Sequence, residues 1–203
     1  MHRFLKLIPL SFLAGCAQGC AIGKALYIAV VHNSGAPPRA ERDRIDERER
    51  TMLDSLSRAR IVVLPVTILG RERHSDATAA RRLAELLNAH GVHATASPTP
   101  VVLPYQPQPN EALTLWTRFR ALGDSLRVHP AGDADYVLAV DVMGAPERGS
   151  IGAVHAMSVT ANGELAYRAV WNSKQAYYQE MKPTSIDDAL RMVAVDLARR
   201  STK

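Results

Sequence analysis

The fold class is indicated most clearly by the sequence Ile61-Val62-Val63-Leu64-Pro65-Val66-Thr67-Ile68-Leu69-Gly70. The run is almost continuously apolar rather than alternating, which is typical of a strand buried on both faces. Pro65 is at odds with a central position, because proline has no N–H for the ladder and belongs at an edge or a bulge. The stretch therefore predicts a core strand in a sheet that is covered by helices.

The residues that follow predict two helices and a second strand. Ser75 is a good N-cap and Gly91 a good stop, with an apolar stripe at helical spacing between them. A short strand is expected at 92–96 and a second helix from Asn110 to about residue 126. Between them, residues 97–109 contain five prolines and predict an extended loop of polyproline character.

The carboxyl-terminal part predicts three strands and a helix. Strands are expected at 134–143, 151–160 and 164–171, and Asn162-Gly163 is a strong hairpin signal between the last two. Ser185 and Asp188 resemble a capping box at the start of the final helix. The order β-α-β-α-β-β-β-α predicts an α/β fold whose mixed sheet of about five strands lies in two or three layers.

The segment before the core strand is less regular. A strand is expected within residues 21–31, and residues 39–58 form a highly charged stretch with a thin apolar stripe. This pattern predicts a solvated helix with one docking face. We therefore divide the chain into residues 1–15, a tether with a short strand and a charged helix at 16–59, and an α/β domain at 60–203.

Composition limits the possible functions. The chain has 203 residues, of which 47% are hydrophobic and 22% are charged, and its formal net charge is +5. Without residues 1–15, 23 basic and 20 acidic side chains remain. So small an excess, without a recognisable motif, does not favour a nucleic-acid partner.

The amino terminus resembles the signal and lipobox of bacterial lipoproteins. A basic head with Arg3 and Lys6 precedes a short apolar run that ends in Leu13-Ala14-Gly15-Cys16. The apolar run is too short to cross a bilayer, which takes roughly 20 residues. The resemblance implies removal of residues 1–15 and attachment of fatty-acyl chains, such as palmitate, to Cys16. Ala17 in place of Asp implies carriage to the outer membrane, with the protein facing the periplasm. Only Cys20 would remain as a thiol, and we expect it to be an ordinary tether residue.

The order of elements is similar to a periplasmic α/β domain found in several envelope proteins. Ile61-Val62-Val63-Leu64-Pro65 and Ala134-Asp135-Tyr136-Val137-Leu138 carry the likeness. The domain is shared by the curli-secretion channel lipoprotein, the lipoprotein activators of penicillin-binding proteins and the amino-terminal domain of TolB. The turn at 144–150 is too short for the transmembrane hairpins of the secretion channel, so the resemblance does not imply a pore.

Motifs for chemistry are absent from the sequence. The histidines lack metal-ligand spacing, and there is no GxSxG elbow or phosphate-binding loop. Asp133, Asp135 and Asp141 offer a set of acids, although Asp141 is as readily a polar residue on the open face of a strand. We expect no catalytic residue, no metal site and no cofactor.

Aromatic residues near the last strand are the candidates for a binding site. Trp171, Tyr177 and Tyr178 could anchor a protein interface, together with Tyr105 in the proline-rich loop. They could equally cover a small core, and the sequence does not decide between the two. The sequence thus predicts a lipid-anchored, non-enzymatic envelope factor that binds a periplasmic or outer-membrane protein. A small-molecule or glycan-binding lipoprotein is the alternative, and a periplasmic hydrolase is a third.

Overall fold

A computed structural model describes residues 39–97, 111–128 and 132–201 of the chain. Cys16, Cys20, the strand expected within 21–31 and the proline-rich loop with Tyr105 lie outside the described residues. The elements that position the core are the helices α1 (Arg39–Ser55), α2 (Ala77–Ala89), α3 (Glu111–Val128), α4 (Ala176–Met181) and α5 (Ile186–Ser201), and the strands β1 (Arg60–Val63), β2 (Val66–Leu69), β3 (Arg73–Asp76), β4 (His93–Ala96), β5 (Tyr136–Ala145), β6 (Ser150–Thr160) and β7 (Leu165–Asn172).

The predicted core strand is divided into two shorter strands, β1 and β2. Both lie parallel to the same strand, β5: Val63 pairs with Leu138, and Thr67 pairs with Asp141. The chain advances four residues between these pairs while β5 advances three, so one extra residue bulges at Leu64 and Pro65. Pro65 has no N–H to donate, which is why the ladder breaks there. The single strand predicted over residues 61–70 is therefore wrong in its continuity and right in its buried position.

Within the described residues, the sheet is mixed and contains seven strands. β1 and β2 lie on one side of β5. Farther out on that side, β4 pairs in parallel with β1, and β3 pairs antiparallel with β2. On the other side, β6 and then β7 follow as antiparallel neighbours, as the Asn162-Gly163 signal predicted. β1 and β2 together occupy one position across the sheet, and β4 and β3 together occupy the next. The sheet is therefore about five strands wide. The predicted α/β fold is confirmed.

The residues before α2 differ from the prediction. Residues 73–76 form β3, a strand that the sequence did not predict, and Asp76 rather than Ser75 is the N-cap of α2. The Asp76 carboxylate accepts hydrogen bonds from the backbone N–H groups of Thr78 and Ala79 at 2.8 and 2.9 Å. Ser75 is held in the ladder opposite Thr67, so the helix begins one residue later than its side-chain chemistry suggests.

Helices cover both faces of the sheet, which gives three layers. α2 and α5 bury one face with an apolar core that includes Leu83, Leu87 and Leu190. On the opposite face, α3 buries a smaller cluster that includes Phe119 and Leu122. We call these the α2/α5 face and the α3 face. Within the described ranges, no helix is both long and apolar enough to span a membrane.

The charged helix α1 packs against β7, the last strand of the sheet, and against α5. Ile45 joins the cluster on the α3 face, whereas Met52 and Leu56 join the core of the α2/α5 face. All three side chains are fully buried. The predicted apolar stripe is thus confirmed, and it covers an edge that would otherwise be open to pairing.

Candidate functional site

Two of the predicted aromatic candidates are buried. Trp171 is 3% exposed and Tyr178 is 8% exposed, and both belong to the core of the α2/α5 face. The Tyr178 hydroxyl donates a hydrogen bond to the backbone oxygen of Ile151. Burial raises the pKa of Tyr178, because the phenolate would be poorly solvated. The structure places these side chains over the core, which is the second of the two interpretations that the sequence left open.

Tyr177, the third described candidate, is only partly buried. Its hydroxyl donates to the backbone oxygen of Met192 at 3.1 Å, and the Arg199 guanidinium lies 5.4 Å from the centre of its ring. Burial raises the pKa of Tyr177 to about 12. The ring therefore ties α4 to α5. The partner-binding role of these aromatic residues stays a prediction, and Tyr105 and Cys16 lie outside the described residues.

Of the three acids that the sequence singled out, two lie beside the same arginine and the third lies apart. Asp133 and Asp135 are exposed and lie near Arg60, whose backbone N–H donates to the Asp135 carboxylate at 2.7 Å. Asp141 is fully buried and pairs with Arg118 of α3 at 2.5 Å. Asp141 thus faces α3 rather than solvent. Asp141 and Arg118 therefore form a buried structural ion pair.

Asp141 belongs to a polar row within the α3 face. Thr67 on β2 and His155 on β6 lie directly opposite Asp141 in the sheet register, so the three residues cross three neighbouring strands. Thr67 is 7% exposed and His155 is 1% exposed. Such a row needs the Arg118 guanidinium above it, since an isolated buried carboxylate is strongly unfavourable. We interpret it as the device that fixes α3 on the sheet.

A concave surface lies where β2, β5 and α5 meet. The parallel strands β2 and β5 have their carboxyl ends at the same edge, which is where ligands bind in open α/β sheets. Ile68, Pro146 and Ile186 contribute apolar side chains to a cavity of about 700 Å³ that is open to solvent. We call this surface the apolar groove. Its remaining lining residues are Gly70, Arg71, Glu72, His74, Glu147, Ser185 and Asp187.

The rim of the apolar groove carries more negative than positive charge. Asp187 is committed to Arg82 at 2.9 Å and to Arg191 at 3.1 Å. Glu72 and Glu147 are exposed and have no ion-pair partner in the described ranges. The groove therefore combines apolar side chains with two uncommitted carboxylates and the single guanidinium of Arg71, which is the anatomy of a small protein interface.

No local pattern in the sequence predicted this groove. Ile68 reads as part of the core strand, Pro146 as a turn residue and Ile186 as part of a helical stripe. Their meeting depends on the parallel pairing of β2 with β5, which no local pattern reveals. Within the described part of the chain, no three or more His, Cys, Asp or Glu side chains form a cluster that could hold a metal ion.

Comparison with known proteins identifies no family. No protein-family model matches the chain, and no curated protein matches it. Among solved structures, the chain is similar to the PelC L103M dodecamer from Paraburkholderia phytofirmans, in space group C2. The two share 13% sequence identity with a TM-score of 0.34, over 68% of this chain and 90% of that chain. A likeness of this degree carries no argument about function.

Proposed function

We propose that the chain is a lipid-anchored envelope protein that acts without catalysis, by binding a protein partner through the apolar groove. The lipid on Cys16 holds it at the outer membrane, facing the periplasm. The sequence Leu13-Ala14-Gly15-Cys16 supports the anchor. More than one acyl chain is needed for stable retention, because a single chain binds a membrane only reversibly.

The apolar groove is the observation that carries the binding role. Pro146 and Ile186 are only partly covered, in contrast to the buried residues beneath them. Removing their apolar surface from water on binding contributes about 25 cal/mol per Å². A partner that inserts an apolar side chain would gain this contribution without distorting the sheet.

The charge at the rim specifies the chemistry of the partner. Glu72 and Glu147 lie on different loops of the groove and have no ion-pair partner in the described ranges. An apolar segment with Lys or Arg on both sides would complement this rim. Such complementarity mainly sets specificity and the rate of association.

Site-specific photocrosslinking in the cells that make the protein tests this proposal. A photoreactive amino acid is placed at Arg71 on the rim, and another at Arg58, an exposed position that does not line the groove. We expect a distinct crosslinked protein at Arg71 only. Its sequence should contain an apolar segment flanked by basic residues.

A matched pair of charge variants sharpens the test. Glu72→Arg with Glu147→Arg should reduce the crosslink at Arg71 at least tenfold. Glu47→Arg with Asp54→Arg, which makes the same change of charge on α1, should leave it unchanged. Equal loss in both double variants, or the same proteins at Arg71 and Arg58, would refute binding in the groove.

A further inference from the structure

A second concave surface lies on the α3 face, between two helices. It encloses about 330 Å³, and its walls are α1 and α3, with the turn between β6 and β7 between them. We call it the arginine cleft, because four arginines line it. Its lining residues are Glu41, Arg44, Arg48, Trp116, Phe119, Arg120, Asp124, Arg127, Gly163, Glu164 and Leu165.

The walls of the arginine cleft are held in place by specific contacts. Arg48 of α1 donates to the backbone oxygen of Leu165 at 2.8 Å and pairs with Glu164 at 3.3 Å. On the other wall, Gly123 of α3 lies so close to Gly163 that a Cβ on Gly123 would stand 2.3 Å from the Gly163 oxygen. The φ angle of Gly163 is +75°, which favours glycine in the turn. Both helices are therefore fixed to the same hairpin.

Two of the four guanidinium groups are not committed to other residues. Arg127 pairs with Asp124 at 2.6 Å, and Arg48 is engaged by the hairpin. Arg44 and Arg120 are exposed on opposite walls, and neither has an ion-pair partner among the described residues. Glu41 is the one lining carboxylate that is likewise uncommitted there. The cleft thus offers two available cations against one available anion.

Trp116 gives the arginine cleft an apolar side. It is partly buried against Phe119 and the rest of the smaller cluster, so its ring is held in position. The same ring also lines an adjoining groove of about 360 Å³ beside Arg168 and Val170 of β7. A ligand that extends beyond the cleft would follow this groove and meet a further guanidinium.

We propose that the arginine cleft binds an anionic ligand. Arg44 and Arg120 hold a carboxylate or phosphate group from opposite walls, and a ring of the same ligand packs against Trp116. Guanidinium groups suit this task because their planar fork matches both anions with paired hydrogen bonds. The concave shape favours a ligand that enters the cleft over a flat lipid surface. This site is separate from the apolar groove and does not depend on it.

Calorimetric titration of the full chain tests the proposal with three probes. Trigalacturonate supplies carboxylates on sugar rings, inorganic phosphate supplies the anion alone, and neutral galactotriose supplies rings alone. We expect trigalacturonate to bind most tightly, phosphate to bind more weakly, and galactotriose to show no measurable binding. Failure of the protein to bind either anion would overturn the proposal.

Variants with the same change of charge inside and outside the cleft distinguish binding in the cleft from general electrostatic attraction. The double variant Arg44→Glu with Arg120→Glu should weaken the binding of both anions at least tenfold. Arg58→Glu with Arg81→Glu, which makes the same change of charge outside the cleft, should alter affinity less than twofold. Trp116→Ala should weaken the binding of trigalacturonate severalfold while leaving the binding of phosphate almost unchanged. Thermal melts of all variants check that they fold.

Two outcomes count against the arginine cleft. Equal losses in the two double variants would mean that binding reflects net charge alone. Binding to phosphatidylglycerol vesicles without binding to either soluble anion would mean that the charged surface recognises a membrane. In both cases the proposed function of the apolar groove would still stand, because its test uses different residues.

Discussion

The two faces of the sheet are built from different kinds of side chain. The α2/α5 face buries an apolar core, and the apolar groove continues that core to the surface through Ile68 and Ile186. The α3 face buries an ion pair and a polar row beside a smaller apolar cluster, and the arginine cleft opens beside them. One face is therefore held by apolar burial, while the other also accommodates buried charge.

The buried ion pair makes the sharpest difference between the faces. Asp141→Ala leaves the Arg118 guanidinium buried without its partner carboxylate, which should lower the free energy of unfolding by about 3–5 kcal/mol. The double variant Asp141→Leu with Arg118→Met should recover most of that loss, because well-packed apolar residues replace a buried pair at little cost. Urea unfolding measures all three proteins. A single variant as stable as the wild type would contradict the assignment.

A substitution in the apolar core of the α2/α5 face should also lower the free energy of unfolding, with no double variant that recovers the loss. Leu83 of α2 is fully buried, so Leu83→Ala should lower the free energy of unfolding by about 3 kcal/mol through lost burial and the cavity left behind. Leu86 on the same helix is only partly buried and provides the matched control. Its replacement by Ala should have a clearly smaller effect in the same urea titration. Equal effects would show that α2 does not pack as described.

The contact between α3 and the hairpin is a more local test of the α3 face. A Cβ at residue 123 would clash with the Gly163 oxygen, so Gly123→Ala should lower the free energy of unfolding by about 1–2 kcal/mol, despite the better helix propensity of Ala. At Gly152 the nearest atom would stand 3.6 Å from an added Cβ. Gly152→Ala should therefore be neutral or slightly stabilising by thermal melting. Stabilisation by Gly123→Ala would exclude the close approach.

Removing the capping box of α5 should have the smallest effect on the free energy of unfolding. The Ser185 hydroxyl donates to the Asp188 carboxylate at 2.8 Å, and this bond lowers the pKa of Asp188 below its ordinary value of 3.8. The folded protein then binds fewer protons than the unfolded chain, so the stabilisation is complete above the ordinary pKa. It is lost as the pH falls through the lowered pKa.

At neutral pH, Asp188→Ala should lower the free energy of unfolding by about 1 kcal/mol. The difference from the wild type should shrink as the solution is acidified below the ordinary pKa. Urea midpoints across this pH range measure it, and Asp54→Ala is a control at an exposed acid of α1 that caps no helix and has no ion-pair partner among the described residues. A difference that is independent of pH would contradict the role of the carboxylate.

Local patterns were sufficient for most of the fold. Helical spacing predicted α2 and α5, the Asn162-Gly163 pair predicted the hairpin, and Ser185 with Asp188 predicted a capping box that the structure confirms. The strand β3 was missed, because its residues are polar and it forms only by pairing with β2. Pro65 indicated the break in the core strand, because its missing N–H made it unsuited to a continuous ladder.

The sites were harder to predict than the fold. Arg118 follows Leu115 by three residues and so falls on the apolar stripe of α3, and Asp141 interrupts an apolar strand. Two opposite charges at core positions were a signal that the elements pair, and this signal was available in the sequence. The apolar groove and the arginine cleft had no comparable signal, because each one joins residues far apart in the chain.

Our main proposal is that the α/β domain works from a lipid anchor on Cys16. Intact-mass spectrometry of the protein purified from fractionated cells tests it most directly. We expect recovery in the outer-membrane fraction, an amino terminus at Cys16 and the added mass of fatty-acyl chains. Recovery of unmodified protein in the soluble fraction, cleaved elsewhere than before Cys16, would contradict the claim.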